Sequence, residues 1–261
     1  MTESSDYCFP EPRDPFMPAP PTWNPRPTTG GASLHDEVVE QLGRAIVTGD
    51  LPAGTSLTID ELTHDLGTSR GVIRESLRVL QSKGLVSARP RLGISVQETD
   101  TWRFLDADVI RWRADGPEQL GTIRDLVEFR LGVEPVAAYR AAELQDPEAI
   151  QGLLDSAALM RRAVQDRRKD HFVQADIAFH GWVLRGSGNR IFADLRTTLA
   201  ACLDVRSELL TFPSDISADA ISLHEQLAEL VNSSEPQQAK DTANRIVEAS
   251  YREVRAAAER R

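Results

Sequence analysis

The sequence predicts a mainly α protein, with an N-terminal winged helix-turn-helix followed by an all-α antiparallel helical bundle. Three observations predict it. Residues 33–98 read as helix, helix, short turn, helix and then a hairpin. From Asp100 the composition changes, and the rest of the chain has no convincing strand, no internal repeat and no glycine-rich phosphate loop. Its apolar residues recur at helical spacing, which predicts six or so helices over residues 117–261.

The chain of 261 residues is long enough for two modest domains, and its 41% apolar content supports a packed core. Residues 1–32 stand apart. Eight of the fifteen prolines fall there without an apolar period, which predicts a disordered tail. That stretch has no basic start and no apolar segment of the kind a signal peptide needs. No apolar run reaches the roughly 18–20 residues of a membrane span. The only two cysteines, Cys8 and Cys202, form no disulfide framework and suit a reducing cytoplasm.

In "SLHDEVVEQLGRAIVTG", Leu34, Val38, Leu42 and Ile46 mark one helix face, closed by Gly49 and Pro52. "LTIDELTHDL" predicts a short second helix ending at Gly67. "TSRGVIRESLRVLQSKG" starts at a Thr/Ser cap and stops at Gly84, with Ile73, Leu77 and Leu80 as its buried stripe. Arg70, Arg74 and Arg78 step by four along another face. The strands "LVSAR" and "GISVQ" follow, joined by "PRLG" as a hairpin tip.

The formal net charge of −10 argues against a polyanionic partner, but its distribution reverses that inference. From Ser69 to Arg91 six basic residues face one acid. An arginine at the start of the third helix can reach guanine edges in a major groove. Ser69 and the free N–H groups at that helix start suit a phosphate. Arg89 and Arg91 would follow the backbone or the minor groove. The plainer reading is a solvated basic face.

The motifs of this region resemble the DNA-binding domain of GntR-family bacterial transcription factors. The carrying residues are Leu51, Pro52, Gly54, Ser69, Arg70, Arg74, Glu75, Leu77, Leu80, Gly84, Leu85 and Gly93. The resemblance implies that Ser69, Arg70, Gly71, Arg74 and the wing Gly93 touch double-stranded DNA, with Arg91 added from the local charge. One further DNA-touching arginine of fatty-acid-responsive relatives falls at Asp60, so that contact is not carried over.

Residues 99–116, with Trp102 and Trp112, read as a linker. Helices are then predicted near 118–144, 147–167, 170–187, 189–212, 217–232 and 236–259. "QADIAFHGW" sets Asp176 and His180 four residues apart on one helix face, where they could share a metal, share a proton or cap a buried corner. Arg130 and Glu134 have the same spacing, which fits either an ion pair or a bidentate clamp on a ligand carboxylate. Arg206 is a second candidate clamp. Asn189 after "RGSG" predicts a helix cap. His171 reads as a surface side chain, and His35 and His64 belong to the first domain.

"LVEFRLGVEPVAAYRAA", "DIAFHGWVLRGSGN" and "HEQLAELV" resemble the FCD-type effector domain of the FadR branch of the same family. The resemblance implies a divalent metal held by Asp176, His180 and His224, with Ile246 standing where the last family histidine would fall. Imidazole and carboxylate ligands suit zinc first, with nickel, manganese and iron also fitting. The family reading is a homodimeric regulator, usually a repressor. It binds an inverted-repeat operator and is controlled by a small carboxylate effector bound near Arg130, Arg206 and the metal. "TWRFLDADVIRW" resembles members that sense sugar acids. Two other readings stand beside it. Two histidines and a carboxylate also describe the facial triad of a metal-dependent enzyme, here one acting on a small acid. The helical half could instead serve only to dimerise a DNA-binding protein that has no effector.

Overall fold

A computed structural model describes residues 23–26, 33–89, 93–212, 214, 216 and 218–258. The chain divides into two compact units between Trp102 and Arg103. Most of the Pro-rich tail and the wing tip, residues 90–92 with Arg91, lie outside the described residues. Of the tail, residues 23–26 are described. The Arg26 backbone N–H donates to the Gln41 side-chain amide and its carbonyl accepts from it, both at 3.1 Å.

The first unit holds α1 (Leu34–Val47), β1 (Ser56–Leu57), α2 (Ile59–Leu66), α3 (Arg70–Ser82), β2 (Val86–Arg89) and β3 (Gly93–Val96). Val38, Leu42 and Ile46 of α1 are buried and α1 packs on α3, whose Ile73, Leu77 and Leu80 are buried in turn. This stripe leaves the four-step arginine face of α3 outward. Thr58 caps α2 by accepting from the Glu61 N–H, and Glu61 accepts from the Thr58 hydroxyl, a reciprocal capping box. The hairpin β2–β3 runs from Val86↔Val96 to Arg89↔Gly93. β1 adds a third strand that the sequence pattern does not predict. It is two residues long, too short for an alternation to register, and it pairs with β3 through Ser56↔Ser95 and Leu57↔Ile94.

The stretch read as a linker, residues 99–116, is structured, and the structure corrects that reading. Thr99–Thr101 form a 3-10 turn in the first unit, with the Thr101 hydroxyl donating to the Gly84 carbonyl at 2.8 Å. Ala107–Ala114 form a helix, α4, in the second unit, capped by Asp106. Val109, Ile110 and Trp112 are each 1% exposed or less. Acids and a terminal glycine make this stretch look like a connector, but its apolar side chains are core.

The second unit continues with α5 (Gln119–Leu144), α6 (Pro147–Gln165), α7 (Lys169–Gly186), α8 (Arg190–Asp194), α9 (Arg196–Leu209), α10 (Ala218–Asn232) and α11 (Pro236–Ala258). α7 packs against α5, α6 and α9, and α11 against α5 and α10. The predicted single helix over 189–212 is two helices. Asn189 caps the first through bonds from the Ile191 and Phe192 N–H groups, and the chain re-enters helix after Leu195. The core gathers Ala137, Ala141, Leu153, Met160, Phe179 and Leu227 among others. The alanines let α5 approach its neighbours closely. Truncating a filled position such as Leu153 to alanine is expected to cost about 2–5 kcal/mol, read from denaturant unfolding.

Candidate functional site

The third helix of the winged unit presents the candidate DNA-binding residues. Ser69 is the N-cap of α3 and its Oγ accepts from the Val72 N–H at 3.3 Å. Arg70, Gly71, Arg74 and Arg78 are exposed. Arg78 pairs with Glu75 at 2.6 Å. Arg70 pairs with Asp60 of α2, so the acid at the position where the resemblance implies an arginine binds the first arginine of α3. Gly93 opens β3 at φ +80°, a conformation that favours glycine. Arg91 and the side chain of Arg89 are outside the described residues.

Gly71 has no reason for its identity within the folded unit. Its backbone is helical, and a Cβ there would meet nothing closer than Ser69 Oγ at 3.7 Å. A glycine in a helix costs up to about 1 kcal/mol relative to alanine, a cost that close approach of a partner would offset. Gly71→Ala is expected to raise the thermal stability of the winged unit and to weaken operator binding. A variant both more stable and unimpaired on DNA, by melting and band-shift assays, would contradict that assignment.

Inside the helical unit the structure brings five predicted residues together. α7 carries Asp176 and His180 one turn apart, α10 carries His224, α5 carries Arg130 and α9 carries Arg206. All five are buried. His180 Nε2, His224 Nε2 and Asp176 Oδ1 form a nearly equilateral triangle with edges of 3.4, 3.5 and 3.4 Å.

The protonation of this triangle follows from its surroundings. His224 Nδ1 lies 2.6 Å from the Ala220 carbonyl, which can only accept, so Nδ1 carries the hydrogen. His180 Nδ1 contacts the Glu134 carboxylate. Burial alone would raise the Glu134 pKa, but Arg130 and then His180 lower it to about 2, so it too accepts. Both Nε2 atoms therefore turn lone pairs toward the same point. Asp176 Oδ1, buried there, has no hydrogen-bond donor. With Arg130 Nη2, 3.4 Å from His180 Nε2, as a nearby donor, these three atoms could share a cation. A tetrahedral metal with bonds of about 2.0–2.2 Å separates its ligand atoms by about 3.3–3.6 Å, and the triangle fits.

Without a metal, a proton on His180 is the alternative. Burial lowers the His180 pKa, but the Glu134 carboxylate and then the nearby Asp176 carboxylate override burial and raise it. For Asp176 burial raises the pKa, while His180, His224 and Arg206 together lower it well below the carboxylate range.

A second layer orients the first. Arg130 Nε donates to Glu134 at 2.5 Å, Nη1 to Ser250 Oγ at 3.4 Å, and Nη2 lies 3.4 Å from His180 Nε2. The ion-pair reading of Arg130 is the one seen, in its contact with Glu134, and the same side chain lines the cavity beside His180. Arg206 donates from Nη1 to Asp176 at 3.0 Å and from Nη2 to Glu253 at 2.7 Å. The cavity among Arg130, His180, Arg206, His224, Ile246 and Ser250 is only about 10 Å³, room for about one water or a bare ion.

Sequence reasoning missed Glu134 as the partner of His180, and missed Ser250 and Glu253 altogether. Nothing in the spacing links position 134 to 180 or 206 to 253, because these contacts join different helices. His171 is exposed beside Arg168, and His35 and His64 each contact a neighbouring aspartate in the first unit. Cys202 lies beneath Arg130, and burial pushes its thiol up to about 12. Iodoacetamide at pH 8 is therefore expected to leave Cys202 unmodified in the native protein and to label it on unfolding, as read by peptide mass spectrometry. Rapid native labelling would contradict its burial.

Residues 34–96 match the family of bacterial regulatory proteins, gntR family, and residues 125–249 match the FCD domain. The galactonate operon transcriptional repressor of Escherichia coli is 30% identical over 167 residues, 64% of this chain and 72% of that protein. The HTH-type transcriptional regulator YieP of Escherichia coli is 27% identical over 203 residues, 76% and 86% of the two chains. A probable D-xylose utilization operon transcriptional repressor of Paenarthrobacter nicotinovorans is 24% identical, covering 85% and 87%. Among solved structures, Lar, described as controlling the Listeria monocytogenes agr system, matches with a TM-score of 0.60 at 17% identity. It covers 85% of this chain and 97% of that one, and supports the fold. No described helix is long and apolar enough to cross a membrane. These relatives are transcription regulators, which sets the enzyme reading aside. The chain belongs to the GntR family of DNA-binding transcription regulators, with an FCD domain as its helical half.

Proposed function

We propose that the protein is a homodimeric repressor that binds an inverted-repeat operator through Ser69, Arg70, Gly71, Arg74, Arg91 and Gly93. A small carboxylic acid, a sugar acid first among them, lowers its operator affinity by binding at a divalent metal held by Asp176, His180 and His224. The observation that carries the metal reading is the triangle of three buried acceptor atoms around one point. When bound, the metal supplies a Lewis-acidic centre for ligand oxygens. The chain supplies three protein ligands, and zinc fits them first, with nickel, manganese or iron as alternatives.

Charge supports an anionic effector. Two guanidiniums, Arg130 and Arg206, face the carboxylates Glu134, Asp176 and Glu253. A divalent cation turns that net negative cluster net positive. The galactonate and D-xylose repressors among the relatives point to sugar-derived ligands. The reading of a dimer without an effector has no comparable support, because it leaves the buried triangle unexplained.

Ile246 is 3% exposed and lines the same cavity as both histidines. Ile246→His is therefore expected to add a fourth ligand and raise zinc affinity by about tenfold or more. Elemental analysis and competition against a chromogenic chelator would measure this. Unchanged affinity in a folded Ile246→His protein would mean that the acceptor triangle does not hold the metal. A thermal-shift screen of sugar acids with and without chelator tests the effector, and light scattering at micromolar concentration tests the dimer.

A further inference from the structure

α10 and α11 form a wall with two faces. Their inner faces contribute His224, Ile246 and Ser250 to the buried cavity. Their outer faces line an open groove of about 580 Å³ that includes Asp219, Arg245, Arg252 and Glu253. The groove has the volume of a small-ligand pocket, whereas the cavity has room for little beyond a water. Glu253 lines the groove and holds Arg206, which lines the cavity, so this ion pair stands between the two.

The pair is made in an incomplete way. A guanidinium offers Nε–H and Nη2–H as a parallel fork that matches the two oxygens of one carboxylate. Glu253 accepts from Nη2 at 2.7 Å, while the buried Nε of Arg206 has no acceptor. Nη1 is committed to Asp176. Arg206 thus presents one carboxylate fork, half used by a side chain that reaches it from the groove.

We infer that Glu253 is a resident carboxylate that holds the effector's place on Arg206, and that an acid entering from the groove displaces it. The inference rests on the reading of this domain as a sensor of small acids. A free carboxylate engages Nε and Nη2 together, which Glu253 does not do. Its entry detaches α11 from α9 at this contact, because the Arg206–Glu253 bond joins those helices. The resident group also sets the threshold of response, since apparent affinity falls with the fraction of protein in which the site is taken.

Acetate is a sufficient probe, because it carries the carboxylate and nothing else. Full-length protein, zinc-loaded and zinc-stripped, would be titrated with acetate against chloride at constant ionic strength and followed by thermal shift. Glu253→Ala is expected to bind acetate about tenfold more tightly than wild type, the factor that follows if Glu253 occupies the fork in about nine molecules of ten. Glu253→Gln, which keeps the side-chain volume, should gain less and serves if the alanine variant does not fold. The gain should vanish when Arg206→Gln is added. Equal acetate affinity in wild type and both Glu253 variants overturns the inference, as does a gain that survives Arg206→Gln. Zinc binding without an acetate gain removes Glu253's role and leaves the metal reading intact. An acetate gain without zinc binding does the reverse.

Discussion

Replacing His180 by alanine is expected to abolish metal binding and the effector response while leaving effector-free operator binding unchanged. Loss of a second-layer partner alone weakens a metal site by about 10–100-fold, so loss of one of three ligands exceeds about a hundredfold. The remaining atoms, His224 Nε2 and Asp176 Oδ1, cannot enclose an ion. The fold should survive, because Glu134 keeps Arg130 as a partner at 2.5 Å. A buried carboxylate that loses one of two donors costs about 1–3 kcal/mol. Asp176→Ala is a poorer test, since it strips Arg206 of one buried ion-pair partner at about 3–5 kcal/mol. Elemental analysis, effector titration and band shifts on His180→Ala measure the three readouts separately. A full effector response from that protein, free of metal, would show the triangle to be a polar pocket only.

Arg74→Ala is expected to weaken operator binding by about 1–3 kcal/mol, the worth of one good base contact. Arg74 is exposed and makes no ion pair among the described residues, so its loss has little effect on the free protein. Arg70 differs because it already holds Asp60. Arg70→Ala removes a contact of similar size and also leaves Asp60 facing the phosphates. Adding Asp60→Ala should then recover part of the loss. Band shifts at two salt concentrations separate the effects, because a phosphate contact changes the salt slope and a base contact does not. Unchanged operator affinity in both arginine variants would remove α3 from the role of reading helix. An Arg70→Ala loss that Asp60→Ala leaves untouched would mean that the acid exerts no field at the DNA.

The α3 helix, the candidate reading helix, was legible as a helix because its signals are local. A Ser cap, a glycine stop and an apolar stripe at Ile73, Leu77 and Leu80 fix which face is buried, and the arginines fall on the other. β1 escaped because two residues carry no alternation, and α4 because eight residues flanked by acids resemble a connector. The short α8 escaped for a related reason, since its helical residues run on into those of α9 with only Leu195 between them.

For the buried cluster the division runs by sequence separation. The sequence by itself determined that Asp176 and His180 share a face, because four residues make about one helical turn. It likewise set Arg130 beside Glu134. That His224 completes the triangle with Asp176 and His180, that Glu134 fixes the His180 ring, and that Glu253 shares Arg206 with Asp176 were decided only by tertiary packing. These pairs lie on different helices. Whether two side chains meet across a bundle depends on how the helices pack and which turns face each other, and no local spacing encodes that. Ile246 shows the same limit. The FCD resemblance implies a histidine there, but only the packing of α11 makes the Ile246 side chain a wall of the cavity.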